Sequence, residues 1–128
     1  MPTLITQGIS INVEVTYQVK HSEPAAQRYI HSYEITIENL SNHAVQLLSR
    51  HWFIQNALGK IREVQGDGVI GNQPILEAGK KFQYVSWAPL NTPMGKMYGY
   101  YTFITFKDDK KIEVKIPEFK LIAPFKNN

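Results

Sequence analysis

Glu63-Val64-Gln65-Gly66-Asp67-Gly68-Val69-Ile70-Gly71-Asn72-Gln73-Pro74 contains, in Gly66 to Gly71, the pattern G-x-G-x-x-G. In an α/β fold that pattern lays a dinucleotide pyrophosphate against a helix. It works only where a strand feeds the glycines and a helix opens behind them, because the helix N-terminus supplies partial positive charge and free N–H groups. Here Asn72, Gln73 and Pro74 follow. Proline biases the residue before it away from helical geometry, and no helical apolar period comes after it. Asp67 adds a negative charge that would repel a pyrophosphate unless a cation bridged the two. The stretch therefore reads as a long inter-strand connection needing positive φ at several points, which glycine supplies at low cost.

Outward from that loop the period is two. Ile9, Ile11, Val13, Val15, Tyr17 and Val19 alternate with polar residues, as on a strand with one wet face. Pro24 breaks the run. Alternation resumes at Tyr29, His31, Tyr33, Ile35 and Ile37 and stops at the turn chemistry of Asn39 to Asn42. Val45 to Gln55 is apolar on both sides, with Leu48, Trp52 and Ile54 on one face and Val45, Leu47 and Phe53 on the other, so it reads as a central strand. Asn56 to Gly59 makes a hairpin into Lys60 to Val64.

Beyond the glycine loop, Ile75 to Gly79 reads as a turn before a strand from Lys81 to Trp87. Pro89 to Gly95 reads as a loop, and Lys96 to Phe106 as the most aromatic strand, with Tyr98 and Tyr100 opposite Met97, Tyr101 and Phe103. A hairpin at Lys107 to Lys110 leads to Lys111 to Ile116, where Pro117 should end regular pairing. The apolar tail Glu118 to Phe125 should pack as an edge or lid. About seven strands with close-set turns and no helix give the expected class. It is an all-β, seven-stranded antiparallel sandwich, immunoglobulin-like or fibronectin type III-like, with Trp52 as core anchor. A barrel is the alternative.

The 128 residues suit a single domain spanning 1–128 with one core. Without cysteine there are no disulfides and no thiolate metal sites. The start of the chain has neither a basic region nor a long apolar run, so the expectation is no membrane segment and a cytoplasmic address. A net charge of +3 could serve nucleic acid, but the lysines are scattered and no basic stripe follows them, so no nucleic acid is expected as a partner.

Several ordered motifs together resemble one family. These are Arg50-His51-Trp52-Phe53-Ile54, the stretch Val64 to Pro74, Phe82 to Leu90 with Thr92-Pro93-Met94-Gly95, Met97-Gly99-Tyr101 with the intervening Tyr98 and Tyr100, and Ile116-Pro117-Glu118-Phe119. In order and spacing they resemble the ApaG family over nearly the whole chain. Trp87-Ala88 stands where that family more usually has a small residue and a cysteine, so a role tied to that thiol does not carry over. The resemblance implies a fibronectin type III-like sandwich, a link to cobalt resistance and magnesium efflux in bacteria, and an interaction role in larger eukaryotic proteins. It brings no catalytic residues.

The residues themselves offer two surfaces. Gly66, Asp67, Gly68, Gly71, Asn72, Gln73 and Pro74 could form a backbone nest for an anion or a partner's carboxylate. Trp87, Pro89, Met94, Tyr98 and Tyr100 could form an apolar patch for a partner. His21, His31, His43 and His51 lack ligand spacing, so no metal or other cofactor is expected; His31 and His51 read as hydrogen-bonded strand residues, His21 and His43 as exposed in loops. Ser49 lies two residues from His51 but has no acid partner in sequence, so catalysis is not expected. The resulting expectation is a non-catalytic module for a protein partner of unidentified nature, with an edge strand open to homodimer pairing. The alternative is a sensor that binds an anion or a metal-bridged nucleotide at the glycine loop.

Overall fold

Ile9, Ile11 and Val13 are fully buried while Ser10 and Asn12 beside them are not, as period-two alternation requires. The same logic, repeated, builds the molecule. The structure is a computed structural model that describes residues 2–124, so the expectation for Phe125 lies outside the described residues.

Among the described residues nine strands follow in order: β1 (Thr3–Thr6), β2 (Ile9–Tyr17), β3 (Tyr29–Asn39), β4 (Val45–Asn56), β5 (Ile61–Asp67), β6 (Ile75–Leu76), β7 (Lys81–Leu90), β8 (Met94–Thr105) and β9 (Lys110–Ile122). One sheet has the order β1-β2-β3-β7, and the other β5-β4-β8-β9, with β6 beside β4. Every pairing is antiparallel. The two sheets close over one core as a sandwich of the fibronectin type III-like kind. Trp52 is its anchor, packing against Tyr33, Tyr101 and Phe119 with ring centroids 5.4, 6.3 and 5.8 Å away.

The count is nine rather than seven. Gln7 and Gly8 both take positive φ, +49° and +82°, and fold β1 back onto β2 in a tight hairpin. Ile75 and Leu76, expected as part of a turn, pair with Gln46 and Val45. Val19 lies outside β2 in a short 3-10 turn and is exposed. Pro89 is paired with Ile30, so the expected loop of Pro89 to Gly95 shrinks to residues 91–93. A proline is tolerated there because β7 is the edge of its sheet.

Two bulges account for the other differences. Between Leu47 and Ser49 the register of β4 on β8 slips, leaving Leu48 unpaired. Val45 and Leu47 before the slip and Trp52 and Ile54 after it are therefore all buried, while Leu48 and Phe53 are partly exposed, which corrects the face assignment expected from strict alternation. On β9 the slip falls at Pro117: Gly99 pairs with Ile116 and Met97 with Phe119. Pairing does not end at the proline but continues to Ile122, and the inward set changes from Ile112, Val114 and Ile116 to Phe119 and Leu121.

Candidate functional site

Gly66 and Asp67 are the last residues of β5, opposite Arg50 and Ser49. The Arg50 guanidinium lies across Gly66, and a Cβ there would stand 2.8 Å from Arg50 Nη1. That nitrogen donates to the carbonyls of Asp67 at 3.0 Å and Gly68 at 2.9 Å. The loop proper begins at Gly68, and no helix opens behind it. Val69 and Asn72 exchange backbone hydrogen bonds of 2.8 and 2.9 Å, so Ile70 and Gly71, at φ +42° and +79°, form the tip of a two-residue turn. Val69 is buried and pins that turn to the core. Gly68 N–H donates to the Leu48 carbonyl at 2.8 Å, as does Gln73 Nε2 at 2.9 Å, while Asn72 Nδ2 donates to Ile70 at 3.4 Å. The amides of Gly68, Val69 and Asn72 are thus spent on protein carbonyls, and an anion at this loop would have to displace those bonds. Pro74, just past the tip, accepts from Leu47 N–H at 3.0 Å.

The outer face of the second sheet carries an aromatic row. Outward positions of β4 and β8 put His51 opposite Tyr100 and Phe53 opposite Tyr98. Phe53 and Tyr98 stack at 5.2 Å and 12°, and His51 and Phe53 at 4.5 Å and 18°. Lys96 Nζ lies 5.7 Å from the Tyr98 ring centre. Phe53, Tyr98, Tyr100, Glu113 and Lys115 line a hollow of about 330 Å³ on this face. In one tautomer His51 satisfies two neighbours: Nε2–H donates to Glu63 Oε2 at 3.1 Å and Nδ1 accepts from the Tyr100 hydroxyl at 3.1 Å. The acid partner that Ser49 lacks in sequence thus exists for His51, supplied by β5. The chain of hydrogen bonds lies on the outer face of the second sheet, where Ser49, Arg50, His51, Gln65 and Tyr100 share a hollow.

The five residues expected to form one apolar patch are not brought together. Trp87 projects from β7 with the outward residues of the first sheet, is 48% exposed, and packs edge-on against His21 at 5.0 Å. Pro89 lies on the same strand, beside a cleft at the end of the sandwich. Met94, at the start of β8, is exposed, and only Tyr98 and Tyr100 share the aromatic row. Phe53, His51 and Glu63 complete that row.

His21 and His43 are exposed, and His51 is hydrogen-bonded. His31 corrects expectation: it is 1% exposed, packed edge-on to Tyr17, and neither ring nitrogen has a hydrogen-bond partner. The backbone of Ile122 acts on the ring, but with geometry short of a hydrogen bond. Burial lowers its pKa from the ordinary histidine value, with Ile122 opposing more weakly. In the core, the hydroxyls of Tyr84 and Tyr101 bond to each other across the two sheets. Burial, the largest cause, drives both phenols well above the ordinary tyrosine range. Among the described residues no group of three or more His, Asp or Glu side chains is placed to hold a metal ion, and no helix is long and apolar enough to cross a membrane.

A family model described as the ApaG domain matches residues 19–105. The strands outside that range complete both sheets, β2 against β3 and β9 against β8. The chain is 46% identical to Protein ApaG of Proteus mirabilis over 116 residues, covering 91% of this chain and 92% of the relative. It is 44% identical to Protein ApaG of Chromohalobacter salexigens over 120 residues, covering 94% of each. Among solved structures, the ApaA protein from Bordetella pertussis superposes with a TM-score of 0.88 at 38% identity, covering 91% of this chain and 94% of that one.

Proposed function

This chain belongs to the ApaG family, and from that premise we propose that it is a non-catalytic module that docks a protein partner on the outer aromatic row of β4 and β8. The observation that carries this reading is the stack of Phe53 on both His51 and Tyr98 where, among the described residues, no third layer covers the sheet. Outward positions of a solvated sheet are ordinarily polar. Rings held flat by their neighbours lose little entropy on binding, and buried aromatic anchors dominate protein interfaces. Glu63, Glu113, Lys96 and Lys115 around the row supply a mixed-charge rim that would set orientation more than affinity.

In the divalent-cation handling to which the family resemblance points, this reading gives the chain a role through its partner. A sensor at the glycine loop is the weaker reading, since the amides it would use already donate to protein carbonyls. The test is affinity capture from the native cell with the wild-type chain and with Phe53→Ala/Tyr98→Ala, the fold of each checked by circular dichroism. A partner captured by the first and lost by the second supports the reading. A partner retained by both removes the aromatic row from the account.

A further inference from the structure

A cavity larger than the hollow on the aromatic face lies elsewhere, at the end of the sandwich where β5 of one sheet faces β7 of the other. It measures about 590 Å³, within the range of small-molecule sites. Arg28, Lys60 and Arg62 line it, with Gln27, Asn56 and Asn91 between them and buried Ile54 and Leu90 beneath. No carboxylate lines it. The ion pairs among the described residues are His51 with Glu63 and Lys96 with Glu118, so none of the three cations has an acidic partner. Glu23 meets Arg28 only through the backbone, by N–H to carbonyl bonds of 2.8 and 3.0 Å.

The walls are fixed. Arg62 reaches across the gap between sheets and donates from Nη2 to the Pro89 carbonyl at 3.1 Å. Asn56 accepts from the N–H groups of Leu58 and Lys60 through Oδ1 and donates to Asn91 at 3.1 Å, stapling the two loops that flank the cleft. Gln27 holds φ +54°, a left-handed conformation that is strained for a non-glycine residue, immediately before Arg28. Strain and unpaired like charge meet at one cavity. Three cations over an apolar floor match a ligand with several negative charges at one end and an apolar or planar body at the other. Arginine forks suit phosphate oxygens in particular.

We propose that this cleft is a binding site for a phosphorylated small molecule of the nucleoside polyphosphate type, its phosphates on Arg28, Lys60 and Arg62 and its body on Ile54, Leu90 and Pro89. The site is distinct from both the glycine loop and the aromatic row. Its test is titration of the full chain by NMR and calorimetry with a nucleoside triphosphate and with inorganic triphosphate, without added metal. Saturable shifts at the amides of Gln27, Asn56 and Asn91 are expected in the wild-type protein, with the nucleotide binding more tightly than inorganic triphosphate. Arg28→Ser/Lys60→Ser should weaken binding about tenfold or more. Lys110→Ser/Lys111→Ser has the same net charge but is remote from the cleft, and should leave affinity within about twofold at moderate salt.

Failure of both ligands to bind, shifts elsewhere on the surface, or equal loss in the two double variants would overturn the site. Inorganic triphosphate binding as tightly as the nucleotide would overturn the assignment of an organic body. Because the wild-type shifts locate the ligand by themselves, the test survives misfolding of a variant.

Discussion

Tyr84 and Tyr101 show how one hydrogen bond in a dry place can count for more than its net energy. Their hydroxyls face each other from opposite sheets, both in the core, and each is the other's hydrogen-bond partner. Replacing Tyr84 by Phe leaves the Tyr101 hydroxyl buried and unpaired, and should lower unfolding free energy by about 1–3 kcal/mol. Adding Tyr101→Phe removes the orphan, so the double variant should lose less than the sum of the singles. Urea denaturation of the four proteins measures this coupling, and strict additivity would deny it. At this scale the sequence is reticent: Tyr101 reads as one face of the most aromatic strand and Tyr84 falls in the strand from Lys81 to Trp87, but nothing in the chain says that the two meet. For the same reason Glu63 could not be assigned to His51, nor Arg62 to the carbonyl of Pro89.

At the scale of the element, glycines and bulges decide what strand alternation alone does not. Gly99 sits where β8 passes β4, and a Cβ there would stand 2.1 Å from the His51 carbonyl oxygen. Gly99→Ala must therefore separate the two strands or bend them, at a cost of about 1–3 kcal/mol or more, whereas the same change at an open strand position costs little. Thermal unfolding of that variant checks it; an unchanged midpoint would contradict the contact. The turn at Ile70-Gly71 makes the opposite case. Ile70 is β-branched and held at φ +42°, where Asn would sit more easily. Ile70→Asn is expected to raise stability by about 0.5–1 kcal/mol, measured as a higher denaturation midpoint. The absence of a helix behind Gly71 was legible in Pro74 and in the polar residues before it. The bulges were not legible, because a slipped residue such as Leu48 looks like any other apolar position until its partner on the next strand is known. The face of every residue after it then reads inverted, so strict alternation sets Phe53 with Val45 and Leu47, whereas the slip turns it onto the outer row.

For the molecule as a whole, the architecture was legible because two-residue periodicity and close-set turns repeat along the chain, while the strands lost to the reading, β1 and β6, are the shortest. What the whole fold adds is a place for His31 that no local pattern announces. It sits in the interior beside Tyr17, with no hydrogen-bond partner and burial favouring the neutral ring. In the unfolded chain the same imidazole takes up a proton near its ordinary value of about 6.5. The folded pKa is the lower of the two, so below the unfolded value the unfolded state binds more protons and gains on the native state. The contribution is intact above that value and is lost as pH falls through the folded one. Unfolding free energy should accordingly decline from pH 7.5 towards pH 5 more steeply in the wild-type protein than in His31→Leu, which keeps an apolar side chain in the site and has nothing to protonate. The other three histidines are common to both proteins and cancel in the difference. Guanidinium titrations at several pH values give the two slopes, and parallel slopes would show that His31 takes up its proton without opening the core.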